Sequence, residues 1–366
     1  MAGGPGTGGM EKSRSPFSKE RKKDMKVNRE LLLNQLVAVV PGASFSEGTT
    51  QASFFVFHKD KVFTFNGEVA CRVPCCFTGV TVAVPAKPLL QLLSKLKEEF
   101  LEFNLKDDEK ELHVVGKGKR TKFRIESEVN LELDKIEKPK SWNQMPDEFK
   151  DAVDVVSKCA GPKSSEHFEI TCIHIDPEYM ESTDNYQLIK YPLETGIETS
   201  MLIKADTIKK VITLGMTHIS ETENWLHFKD NRSGLIVSCL ISRDDYYPLA
   251  SIFENAGGKK TTLPKGLENS IENAEIFSSE NADNNVITVL LSHGKIEVTG
   301  EGSDGEHTER KKITYAGPEM RFLIQPAMLA EVAKRYNVCQ ISDEFMTVSG
   351  GAFTYITCLS KVEEKK

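Results

Sequence analysis

The side chains best suited to catalysis lie scattered through this 366-residue chain, without partners at a useful spacing. Asp107 with Asp108, and Asp244 with Asp245, are neighbouring carboxylates of the kind that could share acid–base duty, but both pairs fall in polar turns where carboxylates are solvated. The eight histidines never form H-E-x-x-H and the eight cysteines never form C-x-x-C, so no zinc site assembles locally. GGKKTT at 257–262 has Lys260 where a phosphate-binding loop needs Ser or Thr, and no glycine stands five residues before Gly258. GKGKR at 116–120 reads as a hairpin turn, and no G-x-S-x-G elbow is present. No catalytic residue, metal or cofactor is expected, which favours a structural or binding role.

The elements that would position any site recur. TVAVPAKPLLQLLSKLK (81–97), SMLIKADTIKKVITL (200–214) and MRFLIQPAMLAEVAKRY (320–336) are each a short strand-like run, a start signal and an amphipathic helix. The first is anchored by Leu89, Leu92 and Leu93, the second by Ile208, Val211 and Ile212, the third by Leu329, Val332 and Ala333. The step is 119 residues from Leu89 to Ile208 and 121 from Ile208 to Leu329. A second helix keeps the same stride, 117 residues from Leu32 to Phe149 and 118 from Phe149 to Leu267. That period is the size of a domain rather than of a solenoid repeat. The chain therefore reads as α+β, three tandem copies of one unit with two helices packed on antiparallel sheets.

Residues 1–25 read as a disordered basic tail, and the units as 26–128, 129–248 and 249–366. Each is expected to run helix, strands, helix, then three strands, with VNLELDKIEKPKSWNQMP and DDYYPLASIFENAGGKKTTLP as linkers. A composition of 39% hydrophobic and 28% charged residues suits a globular chain, with neither a membrane span nor a secretory segment expected. Scattered cysteines in apolar runs read as reduced thiols, consistent with a cytosolic or nuclear setting. Cys75 and Cys76 point to opposite faces if their segment is a strand. A net charge of -7 argues against coating nucleic acid with the whole surface, yet leaves room for a local basic lining.

At Ser182, Thr183, Asp184, Asn185, Tyr186, Gln187, Leu188 the chain resembles the bacterial β-type DNA polymerase sliding clamps, whose middle domain carries Ala-Thr-Asp-Gly-His-Arg-Leu. W-x-x-M-P-x-E-F at 142–149 and DDYYP at 244–248 are similar to that domain's opening and closing motifs, and the likeness spans Met25 to Val362. Asn185 stands in place of Gly, at a position where Asn tolerates positive φ. Tyr186 and Gln187 replace His and Arg, and Ile356-Thr357-Cys358-Leu359 replaces the family's Val/Ile and Met-Pro ending. These departures fit a divergent member, one encoded by a phage or virus.

The resemblance implies a processivity factor, a homodimeric ring around duplex DNA, acting in the cytoplasm of a bacterial or phage-infected cell. Short linear peptides of the polymerase and clamp loader would bind at Phe168, Thr183, Asp184, Asn185, Tyr186, Gln187, Leu188, Pro248, Ile252, Phe253, Ile356, Cys358 and Leu359. Lys95, Lys97, Lys150, Lys158, Lys209, Lys210, Lys334 and Arg335 would face the DNA, with Lys150 and Lys158 sharing one helix face. Phe123 and Ile125 on an edge strand would meet Ile276 and Phe277 of the partner. Two other readings stay open: an interaction scaffold unconnected with DNA, without a cation excess on the helix faces, and an enzyme with dispersed residues around Asp184 or the histidines.

Overall fold

The computed structural model describes residues 23–45, 51–106, 110–278, 285–315, 317–349 and 351–361. Asp107, Asp108 and residues 1–22, including most of the expected basic tail, lie outside the described residues.

One run of elements occurs three times. The first comprises β1 (Lys23–Asn28), α1 (Arg29–Ala38), β2 (Phe54–Lys59), β3 (Lys61–Phe65), β4 (Val69–Pro74), β5 (Val80–Pro85), α2 (Ala86–Lys95), β6 (Phe100–Lys106), β7 (Glu111–Gly116) and β8 (Lys119–Arg124). The second comprises β9 (Asn143–Gln144), α3 (Phe149–Val156), β10 (Cys172–Ile175), β11 (Tyr179–Thr183), β12 (Gln187–Pro192), β13 (Met201–Lys204), α4 (Ala205–Ile212), β14 (His218–Glu221), β15 (Trp225–Lys229) and β16 (Ile236–Leu240). The third adds a short helix first: α5 (Ala250–Asn255), β17 (Lys259–Thr262), α6 (Leu267–Glu275), β18 (Ile287–Ser292), β19 (Lys295–Gly302), β20 (Gly305–Lys312), β21 (Met320–Ile324), α7 (Pro326–Arg335), β22 (Val338–Ile341), β23 (Phe345–Val348), β24 (Thr354–Cys358) and β25 (Ser360–Lys361).

Three details differ from the sequence reading. Lys23, Asp24 and Met25, expected in the tail, lie in β1, which pairs along its whole length with β6. The stretch expected as a linker before the third unit holds α5 and β17, the latter paired with β22. Pro74 closes β4, so Cys75 and Cys76 sit in a bend; all eight cysteines are free thiols.

Short-range chemistry sets the helix starts. Asn28, the last residue of β1, caps α1 by accepting the Leu31 N–H at 2.9 Å. Pro326 opens α7, where its missing N–H costs nothing. The apolar stripes then turn inward, so that Leu32, Leu36, Leu89, Leu93, Phe149, Val153, Ile208, Val211, Leu267 and Ile271 are all buried. In the first unit Phe77 joins the two sheets, 4.9 Å from Phe57 on β2 and 5.1 Å from Phe103 on β6.

In the third unit the C-terminal end of α6 lies so close to β19 that a Cβ at Gly300 would fall 1.7 Å from the Ala274 carbonyl oxygen. The obstacle is backbone and cannot swing aside. Gly300→Ala should destabilise the chain by about 1–3 kcal/mol, seen as a lower calorimetric midpoint. An unchanged midpoint would contradict that packing.

The sheets tie the units together. Strands β4 and β16 pair antiparallel, giving an eight-stranded sheet ordered β5-β2-β3-β4-β16-β15-β14-β9. Strands β12 and β24 do the same in β13-β10-β11-β12-β24-β23-β22-β17. The remaining sheets have four and five strands, β1-β6-β7-β8 and β20-β19-β18-β21-β25, and end on β8 and β20. By position in the repeat, β8 corresponds to β16 and β24, and β20 to β4 and β12. The chain thus makes a given junction twice and leaves both halves of a third unpaired.

Candidate functional site

Most of the pocket residues expected from the sequence converge where β12 meets β24. Leu188 pairs with Ile356 in that ladder, both buried, and Leu249 covers them with Tyr246, Tyr247 and Phe253 to form a small apolar cluster of its own. Phe253 is brought to this cluster by α5, while Ile252 beside it and Pro248 ahead of the helix are exposed. The Tyr186 carbonyl accepts the Cys358 N–H at 2.7 Å, and a cleft of ≈ 280 Å³ opens there between Tyr186, Leu323, Gln325 and Cys358. Tyr186 is 61% exposed, whereas Thr183, Gln187 and Leu359 are buried.

The turn that presents Tyr186 is built by Asp184. Its Oδ1 accepts the backbone N–H groups of Tyr186 and Gln187, each at 2.9 Å, and its Oδ2 accepts Nε2 of Gln187 at 3.0 Å and of Gln325 at 2.9 Å. Asn185 takes φ 75°, the positive value anticipated for it. Burial pushes the Asp184 carboxyl above the usual carboxylate range. Its four donors are nevertheless those of a turn anchor, and they belong to the turn and to the helix it abuts.

Gln187 completes the network, since its Oε1 accepts the hydroxyl of fully buried Tyr355 at 3.0 Å. Tyr355→Phe would leave that oxygen without this donor. We expect a loss of about 1–3 kcal/mol in urea unfolding, and a neutral substitution would contradict the role of the bond.

Phe168 is neither in the apolar cluster nor in the lining of the cleft. It begins a short 3₁₀ turn ahead of β10, and β11 separates β10 from β12. Its ring sits 6.0 Å from Nζ of Lys204, whose amine bonds Glu68 of the first unit. The Phe168 carbonyl accepts Cys172 Sγ at 3.4 Å, and the β10–β11 register brings Cys172 level with Thr183, so Phe168 lies at the end of the sheet that bears the Asp184 turn without lining the cleft.

Neither a protein-family model nor a curated protein matches the sequence. Solved structures do. The DnaN sliding clamp (DNA polymerase III subunit beta) of Bartonella birtlesii bound to griselimycin superposes with a TM-score of 0.77 at 12% identity, over 93% of this chain and 100% of that one. The DNA polymerase III subunit beta of Pseudomonas aeruginosa gives 0.74 at 14% identity, over 93% and 100%. The griselimycin complex of the Pseudomonas aeruginosa clamp gives 0.74 at 13%, over 93% and 99%. The fold is that of a sliding clamp.

On this clamp fold the expected DNA-facing cations divide in two. Lys95, Lys97, Lys150, Lys209 and Lys210 are exposed and carry no salt bridge among the described residues. The other three are engaged. Lys158 Nζ lies 2.8 Å from Glu331, Lys334 Nζ 2.7 Å from Glu272, and Arg335 grips both Asp151 oxygens at 2.8 and 2.9 Å while also bonding Glu331. Lys150 and Lys158 do not share a helix face, because α3 ends at Val156 and Lys158 sits in the following 3₁₀ turn. Lys97 lies past the end of α2.

Charge on the clamp helices is graded. Helices α1 and α2 carry Arg29, Lys87 and Lys95 against Glu30. In α3 and α4, Lys150, Lys209 and Lys210 balance Asp151, Asp154 and Asp206. In α6 and α7, Lys334 and Arg335 are outnumbered by Glu268, Glu272, Glu275 and Glu331. The helices as a set have no cation excess, and the free positive charge belongs to the first two units.

The expected seam residues divide similarly. Phe123 and Ile125 are only 6% and 7% exposed, packed in their own unit's core, so they offer no free apolar surface. Ile276, just past α6, is 74% exposed, and Phe277 beside it stacks on His307 of β20.

Proposed function

We propose that the chain is a sliding clamp: two copies close into a ring around duplex DNA, hold it without reading sequence, and tether polymerase and clamp loader through short peptides. The observation that carries this is the unmade third junction. A junction formed twice within the chain leaves complementary edges on the first and last units, and pairing β8 of one copy with β20 of another, twice over, gives six units in a closed cycle.

The register follows from the repeat. Ser238 opposes Ala70 and Ile356 opposes Leu188 in the two made junctions. The corresponding pairs at the seam are Lys122 opposite Glu306 and Arg120 opposite Thr308. The Ile125 N–H bonds inward to Lys110, so by alternation Arg124, Lys122 and Arg120 present theirs to the partner. Exposed Ile276 would then reach α2 of the other copy. The acidic third unit meets the cationic first, which favours head-to-tail closure.

Exposed Lys95, Lys97, Lys150, Lys209 and Lys210 are the proposed phosphate contacts. A nearly neutral set of helices would let DNA slide, since retention is topological. The scaffold reading gains some support from that neutrality but has no account of the open edges. The proposed peptide site comprises the Tyr186–Cys358 cleft and the neighbouring Leu188–Ile356 cluster with Phe253 packed on it. Tyr186→Ala with Phe253→Ala should weaken binding of griselimycin at least about tenfold by calorimetry without changing the protein's mass in solution. Unchanged affinity would put the site elsewhere.

The function itself is tested by topology. A charged seam should loosen in high salt and close on dilution. Protein mixed with plasmid in high salt and then diluted should co-elute with closed circles and run off linearised ones. Equal retention on both forms would overturn encirclement.

A further inference from the structure

Beneath residues 133–139, at the first junction, lies a cavity of ≈ 240 Å³ on the sheet face turned away from the helices. Its sister position is already filled. At the second junction a cross-strand row of Thr347, Ile356 and Leu188 is covered by the chain's own Leu249 and Phe253. The matching row at the first junction is His227, Ser238 and Ala70. Two large side chains have given way to small ones, and the covering segment brings only Leu133, Ile136 and Pro139, none fully buried. The space left is about that of one large apolar side chain.

We propose that this cavity binds a short peptide through one aliphatic or aromatic side chain adjacent to a carboxylate. The apolar half of that description comes from the sister row, where Leu249 and Phe253 occupy the equivalent place. Phe63, Ile136 and Ile236 supply the wall. The His227 ring closes the floor and keeps no nitrogen free: Nδ1 is 2.8 Å from Ser238 Oγ and Nε2 is 3.0 Å from Thr222 Oγ1. Burial lowers its pKa to about 4, so the floor is uncharged at neutral pH. The acidic half comes from the rim. Arg72 and Lys138 line the cavity with no salt bridge among the described residues, against the single carboxylate of Glu137, which is turned to Asn224 at 2.7 Å, so the rim carries a net positive charge.

The test is methyl NMR on the full chain, titrated with acetyl-Gly-Asp-Leu-Gly-amide and with its Asp→Asn and Leu→Ala forms. The parent peptide should shift the Ile136 and Ile236 methyls. Its Asn form, its Ala form and the rim variant Arg72→Glu should each weaken binding at least about fivefold, and Ala70→Leu, which copies the filled sister row, should abolish it. No shift at millimolar peptide, equal binding of the Asn form, or binding that survives Ala70→Leu would overturn the proposal. If Ala70→Leu fails to fold, the rim variant Arg72→Glu still decides it. The signals report on monomer and ring alike, so failure here is separable from failure of ring closure.

Discussion

Replacing Lys122 and Thr308 together by proline should give a folded chain that no longer dimerises. Both N–H groups point out of their sheets, Lys122 because Ile125 bonds inward to Lys110 and Thr308 because Ile313 bonds inward to Gly294. Proline there removes an outward donor and adds a ring at the partner's approach, without breaking a bond to β7 or β19. Each seam loses two central hydrogen bonds worth roughly 0.5–1.5 kcal/mol apiece, besides the steric cost, so dimerisation should weaken at least about a hundredfold. Ile276→Asp should act in the same direction by placing a charge in the apolar part of the contact. Analytical ultracentrifugation reads both. A proline variant that remains dimeric would exclude β8 and β20 as the seam.

The second large effect concerns DNA. Lys209→Glu with Lys210→Glu reverses two exposed, unpaired cations on α4 in each copy. If they contact phosphates, DNA affinity should fall at least about tenfold at low salt, and the plot of log affinity against log salt should flatten by about 0.9 for each phosphate no longer neutralised. Arg335→Ala is the contrasting case. That side chain is held by Asp151 and Glu331, so its loss should be felt mainly in stability, by about 1 kcal/mol or less at this half-exposed site, with little change in DNA affinity. The Arg335 guanidinium is also what holds the Asp151 carboxyl below its usual range. A depressed carboxylate pKa adds stability above its unfolded value that is lost as pH falls through the folded one, so the difference between Arg335→Ala and the parent should shrink in acid. Equal DNA loss in both variants would mean that Arg335 meets DNA despite its ion pairs, and no loss in the Lys209/Lys210 variant would mean that the charge of α4 is not what the DNA meets.

Sequence and structure agree where local chemistry decides the outcome. Helical stripes such as Ile208, Val211 and Ile212 specify a buried face whatever surrounds them, which is why the threefold stride was legible. The Asp184–Asn185 turn was legible for a similar reason, because few residues accept positive φ. Strands β9 and β17, by contrast, are the polar stretches NQ and KKTT, made strands only by β14 and β22. The resemblance puts Phe123 and Ile125 at the seam, but their burial serves their own unit, a distinction that an apolar residue type on a strand does not carry. The pairings that engage Lys158 and Arg335 span 173 and 184 positions, a separation at which spacing carries no information.

The central claim is that the two unpaired edges belong to one another across two copies. Light scattering on the purified chain at low salt tests it most directly: the account predicts the mass of two chains, falling toward one as salt rises. A mass of one chain at every concentration and salt would contradict it.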